Sequence, residues 1–441
     1  MRTAANNAIE CDLAIVGAGI AGLSAALFAA ERSIDTVLVG ETGEILFASG
    51  LLDLLSVHPI EDGKTWDDPW AALKALARDL PDHPLARVPS ADIAAAFDAL
   101  LSFLALQRLP YRRRADRNIA VPIAMGAVKQ TYCAPETVWA GVRALEEKQA
   151  SLIVDFDGLR GFSARQIVSA LKNRWPGLRT ARIPFPGGDG LQYAEQLAMA
   201  LEAEPNREAL ACDIRACLGT ARSVGLPAVI GLYRTQRVFK DLQARIGVPI
   251  FEIPILPPSV AGLRLRNAFH RGLTEKGVRL FPHHRVAAVR YEQSGDFMLD
   301  ISAPDGGQSL HAGAVILATG RLLGGGLRGD RQAIRETLLD LPVVQPDDRA
   351  AWHRHDFLDP RGHPINEAGL AVDDQFRPLD RSGEPVHERL FAAGSILAHQ
   401  NWVRSKSGAG LSAATAWAAV KACGSQTIQR IHATMKMVEK I

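Results

Sequence analysis

A glycine turn between residues 17 and 22 constrains this chain more than any other feature. Gly17, Gly19 and Gly22 spell G-x-G-x-x-G, with Ala18 inside the turn. Residues 11–17, CDLAIVG, form an apolar run of strand type. Residues 20–30, IAGLSAALFAA, are rich in small helix formers, and residues 36–39, TVLV, give a second short strand. A β-α-β unit of about 30 residues is the setting that gives such a motif meaning. There the first glycine allows a tight turn and the second lets the backbone approach a phosphate. The third lets the helix pack close to the sheet. Amides at the helix start, with the helix dipole, favour the phosphate's negative charge. Gly17, Ala18, Gly19 and Gly22 are therefore expected to bind a nucleotide cofactor.

An acidic residue is expected about 20 residues further on, where it would hold an adenosine ribose. The second strand instead ends at Val39-Gly40, and Glu41 comes one place late. Strand sides alternate, so Glu41 is expected to face away. This favours a mononucleotide flavin, FMN; FAD with Glu41 on the ribose is the alternative. Nicotinamide proteins share the fingerprint, but two later segments favour a flavin. One is the apolar run 311–320, HAGAVILATG, ending in Thr319-Gly320. The other is 390–394, LFAAG, with Gly394, followed by Ser407-Gly408-Ala409-Gly410 and a small-residue helix from about 410 to 422. Amides at that helix start would face the isoalloxazine carbonyl side and stabilise negative charge on the reduced ring. Ser49 and Gly50, after the second strand, are expected near the ring as well.

The 441 residues predict an α/β, two-domain Rossmann-type flavoprotein fold with a discontinuous nucleotide-binding domain. Residues 1–60 and 251–441 form the flavin-binding parts, and residues 61–250 an inserted α/β cap or substrate domain without a cofactor motif. Helices are expected near 71–80, 91–106, 163–175 and 235–246, and strands at 151–156, 226–232 and 249–255. Residues 111–117, YRRRADR, read as a basic solvated loop. Residues 256–281 read as a turn, a long amphipathic helix and a strand, with Arg264 and Arg266 on its surface or in salt bridges. Residues 285–301 read as a β-meander. A formal net charge of +2 gives no electrostatic footprint for nucleic acid. No run approaches the 18 apolar residues of a membrane helix, and residues 1–10 lack a signal pattern. A cytoplasmic protein is expected, with any membrane contact peripheral. Five cysteines without C-x-x-C argue against an iron–sulfur or zinc site in this chain. His283-His284 and His353-x-His355 lack a completing carboxylate or cysteine, so no metal is expected.

Several separated segments carry a family likeness. They are Phe47-Ala48-Ser49-Gly50-Leu51-Leu52-Asp53-Leu54-Leu55-Ser56 and the double-proline segment Leu256-Pro257-Pro258-Ser259-Val260-Ala261-Gly262-Leu263-Arg264-Leu265. Gly324-Gly325-Gly326-Leu327 and Ala393-Gly394-Ser395-Ile396-Leu397 complete the set. The chain resembles the B-subunits of anaerobic glycerol-3-phosphate dehydrogenases over nearly its whole length. The resemblance implies an FMN-linked component of a three-subunit enzyme that oxidises sn-glycerol 3-phosphate, a small phosphorylated polyol, to dihydroxyacetone phosphate. It implies a larger flavin subunit, an iron–sulfur subunit anchoring the pair, and electrons passed to membrane quinone at the cytoplasmic face. Residues 399–407, HQNWVRSKS, depart from the family's glycine-rich loop, which touches the substrate assignment more than the flavin.

Oxidising a secondary alcohol needs a base for the hydroxyl proton and cations for a phosphate. His399 is the candidate base, and Arg404 or Lys406 the candidate phosphate or flavin-carbonyl contact; a solvated basic loop is the other reading of this stretch. Two further classes stay open. One is a flavin-binding electron-transfer or assembly subunit with the chemistry on a partner. The other is a stand-alone FAD oxidoreductase of an amine or a 2-hydroxy acid.

Overall fold

The computed structural model describes residues 9–41, 44–187, 190, 192–302 and 307–438, with side chains described up to residue 425 apart from that of residue 44. The expected N-terminal lead at 1–8 lies outside the described residues.

The main sheet is built on β1 (Ile9–Val16), which lies between β2 (Thr36–Gly40) and the strand Gln308–Leu317, parallel to both. Arg279–Pro282 extends it beyond β2, and Leu390–Ala392 pairs in parallel with Val315–Leu317. Phe297–Ser302 and Arg285–Tyr291 add antiparallel strands on the near half of Gln308–Leu317, which is the expected meander. β1 is fully buried from Leu13 onward, as a parallel strand covered on both faces must be. The helix α1 (Ile20–Ala30) buries Ala21 to Ala29 on all sides, so it reads as a core helix rather than an amphipathic one. It packs beneath the long helix Gly408–Val438, where Phe28 meets Trp417 edge-on at 4.9 Å.

The segment after residue 150 builds a second sheet of four parallel strands. Their order is Leu178–Ile183, Ser151–Phe156, Ser223–Pro227, Ile250–Ile253. The strand expected at 226–232 starts earlier and stops at Pro227, which has no N–H to continue the ladder. The helix expected at 235–246 forms as Thr235–Ile246, and that expected at 163–175 is shorter, Ala164–Leu171. The basic stretch at 111–117 is not simply a loop. Tyr111–Arg113 pairs with Cys133–Pro135, and Arg112 and Arg114 each meet a glutamate, Glu136 and Glu146, at 2.6 Å. Arg113 pairs with Asp98. The positive run is neutralised by its neighbours.

The helix Val260–Glu275 joins the two sheets' layers. Ser259 caps it, accepting from the Gly262 amide at 2.9 Å, and its hydroxyl donates to the Ala48 carbonyl at 2.5 Å. Arg264, on this helix, is buried rather than exposed. Its guanidinium grips Glu252 with two bonds of 2.7 and 2.9 Å and donates to the Gly231 carbonyl at 2.8 Å. Glu252 also accepts from the Thr137 hydroxyl and the Ile230 amide, each at 2.7 Å. Every polar atom of the pair has a partner, which is the condition under which such a buried pair persists. Arg264→Ala strands Glu252 as a buried charge. It is expected to lower unfolding stability by about 3–5 kcal/mol, read as a drop in the urea midpoint.

Candidate functional site

The ends of the parallel strands converge on the glycine turn. The Gly17 amide donates to the Val39 carbonyl at 2.8 Å, and the Ala318 amide to the Val16 carbonyl at 2.8 Å. The Ala393 amide donates to the Leu317 carbonyl at 3.0 Å. The carboxyl ends of parallel strands are where ligands bind in folds of this type. Gly17 has φ +113°, and a side chain there would overlap the Ala318 carbonyl oxygen. A side chain at Gly40 would stand 2.7 Å from the Ala18 nitrogen and 2.9 Å from the Gly17 Cα. Gly40 is thus explained by crowding against the turn, and its presence says nothing about a missing ribose ligand. Gly19 differs from both. A Cβ there would meet nothing within 4 Å, so protein packing does not require glycine at that position. The open space in front of it is where a phosphate would approach the start of α1.

Two cavities flank this point. The first, about 410 Å³, is lined by Gly17, Ala18, Gly19, Gly40, Glu41 and Thr319, with Gly320 and Val286 beside them. Glu41 faces it and is held by Arg285 through bonds of 2.9 and 3.1 Å, which keep its carboxyl below the usual carboxylate range. The Thr319 hydroxyl has no hydrogen-bond partner although it is buried. The second cavity, about 550 Å³, opens on the other side of the helix start. Its apolar wall includes Ile20, Ile45 and Leu327, and its polar groups include Ser49, Asp53, Lys129 and Arg321. Gly408 and Ala409, at the start of the long helix, line it too. Phe47 and Leu323 line both cavities, so the two adjoin there. An orphaned hydroxyl, an open face at Gly19 and a helix start on each side fit a nucleotide-linked ring system.

The structure divides the residues singled out from sequence into two groups. Gly17, Ala18, Gly19, Thr319 and Gly320 line the first cavity, and Ser49, Gly408 and Ala409 the second. Gly22, Gly50, Gly394 and Gly410 line neither and are set by packing. A side chain at Gly22 would overlap the Gly17 carbonyl, one at Gly50 or Gly394 would press on Ala261 or Ala21, and one at Gly410 would crowd Leu54. His399 is exposed and lies outside both linings; its amide donates to the Glu367 carbonyl at 3.0 Å. Arg404 donates to the Asp359 carbonyl at 2.8 Å and also lies outside both. Lys406 is half-buried and lies outside both linings, its ammonium pKa lowered by burial and by Lys129 and partly restored by Asp53. Sequence reasoning missed Asp53, Lys129 and Arg321. Asp53 sits inside the segment Ser49–Ser56 that carried the family likeness, which was the available signal.

A model of the FAD binding domain matches residues 12–411. The chain is similar to a probable anaerobic glycerol-3-phosphate dehydrogenase B-subunit of Halobacterium salinarum, 32% identical over 440 residues, covering 96% of this chain and 99% of that one. This chain belongs to the B-subunit family of anaerobic glycerol-3-phosphate dehydrogenases. A Vibrio cholerae protein with the same subunit name is 28% identical over 433 residues, covering 93% and 95% of the two chains. Among solved structures, 3-ketosteroid delta1-dehydrogenase from Sterolibacterium denitrificans is similar at a TM-score of 0.44 and 12% identity, covering 95% of this chain and 100% of that one. As a member of this FAD-binding family, the chain is a flavin-dependent oxidoreductase.

The contrast between Gly17 and Gly19 can be measured. Gly19→Ala is expected to leave the melting temperature of the flavin-free protein within about 2 °C while weakening flavin binding at least 10-fold. Gly17→Ala is expected to lower the melting temperature itself. The checks are thermal unfolding and the flavin-to-protein ratio.

Proposed function

We propose that this family member carries FAD and oxidises sn-glycerol 3-phosphate to dihydroxyacetone phosphate within a heteromeric complex that passes electrons to quinone. The single observation that carries the substrate class is the make-up of the second cavity. It is largely apolar, yet it brings Arg321 and the Asp53–Lys129 pair to one space beside the helix start. A small anionic polyol needs a cation for its phosphate and a polar group for its hydroxyl. In this reading Arg321 holds the phosphate, and Lys406 lends positive potential from outside the lining. The amides of Gly408 and Ala409 face the ring's carbonyl side. A bound flavin supplies the acceptor for the electron pair that leaves the carbinol carbon.

FAD is favoured over FMN because cavities lie on both sides of the phosphate turn. A mononucleotide needs only one. The first cavity presents Glu41 next to the strand end, where ribose hydroxyls would donate to its carboxylate. The subunit naming of the relatives supports partners, which in this reading carry a second flavin, iron–sulfur clusters and the membrane contact. Among the described residues no helix is long and apolar enough to cross a membrane.

The test is anaerobic addition of sn-glycerol 3-phosphate to the full chain with its flavin. Bleaching of the flavin absorbance is the expected result, with glycerol itself ineffective. Bleaching by an amine or a 2-hydroxy acid and not by the phosphate ester would overturn the reading. Arg321→Ala is expected to raise the half-saturating substrate concentration about 10- to 100-fold, the scale of a lost charge-assisted hydrogen bond.

A further inference from the structure

Among the described residues that line the second cavity there is no histidine, tyrosine, cysteine or glutamate. Asp53 is the one carboxylate in that lining, and Lys129 and Arg321 are its cations. Of these three, only a carboxylate is a proton acceptor in its ordinary ionised state. The Asp53 side chain is about one-eighth exposed, so it reaches the cavity without being solvated like a surface acid (12% exposed). Lys129 holds its Oδ2 at 2.8 Å, while Oδ1 is buried with no hydrogen-bond partner.

The backbone around Asp53 is fixed from two directions. Leu52 and Cys133 exchange two hydrogen bonds of 3.0 Å, which ties the segment to the strand region that carries Lys129. On the other side the Gly410 amide donates to the Asp53 carbonyl at 2.7 Å, so Asp53 is fastened to the first turn of the helix that opens on the cavity. His399 has no such placement; it lies outside the lining and faces solvent.

We propose that Asp53 is the catalytic base that takes the substrate's hydroxyl proton, and that Lys129 is a positioning residue that orients it. This rests on the oxidoreductase reading above. The O–H bond breaks and its proton passes to an Asp53 carboxylate oxygen. The C–H bond breaks with its electron pair leaving for the two-electron acceptor, and the carbon–oxygen double bond forms.

The experiment is single-turnover flavin reduction by sn-glycerol 3-phosphate in wild type, Asp53→Asn, Asp53→Glu and Lys129→Gln. Flavin content and calorimetric binding of inorganic phosphate are measured on each variant. Asp53→Asn is expected to slow reduction about 10²- to 10⁴-fold with flavin content and phosphate binding unchanged. Asp53→Glu keeps the carboxylate and is expected to recover a measurable part of the rate. Lys129→Gln is expected to slow reduction with the half-saturating substrate concentration unchanged, and Lys129→Arg to restore the rate. Reduction by Asp53→Asn within about 3-fold of wild type would overturn the base assignment and leave the substrate reading standing. Loss of flavin from Asp53→Asn would overturn it in favour of a structural role. A wild-type protein that sn-glycerol 3-phosphate does not bleach would overturn both.

Discussion

The rest of the structure depends on a close backbone approach between the glycine turn and the ends of its neighbouring strands. Gly17 leaves β1 with a positive φ, under the Ala318 carbonyl on one side and against Gly40 on the other. No side chain fits at either glycine, so the strand ends close to a distance only backbone can occupy. That closure aims the start of α1 at the open edge of the sheet. It also leaves space on both flanks of the helix start, and the two cavities are that space. Gly22 belongs to the same constraint, because a side chain there would overlap the Gly17 carbonyl and hold α1 off the turn.

The inserted segment is part of the same machinery. Ser259 ties the start of the joining helix to the Ala48 carbonyl, next to the loop that lines the second cavity. The buried Arg264–Glu252 pair then fixes that helix to the second sheet. From the same segment Lys129 reaches back to Asp53. A partly exposed lysine–aspartate pair adds little stability by itself. Its position at a cavity wall, where both residues line the space, is better explained by work on a ligand.

Much of this was legible in the sequence because the signals were local. The strand, turn and helix around Gly17–Gly22, the strand ending in Ala318, and the helix entry at Gly408 each depend on residues next to one another. The long-range pairings were not legible. Arg264 was expected on the surface or in a salt bridge; the salt bridge forms, but its burial was not legible, because its partner Glu252 lies across a double-proline turn on a strand of the second sheet. Gly40 looked like a lost ribose ligand because its reason is a contact with Ala18, invisible without the fold. His399 looked catalytic because it neighbours the right helix, yet its backbone turns it outward at φ +60°. Asp53 and Lys129 lie 76 positions apart (129 − 53), and no spacing rule joins them.

The proposed function needs one dinucleotide to span both cavities across the turn. Its most direct test is the identity of the flavin released when the purified full chain is denatured. The account predicts FAD at close to one per chain, dissociable into FMN and AMP by a pyrophosphatase. FMN as the flavin released from intact protein would contradict it, since the cavity beside Glu41 would then have no part in cofactor binding.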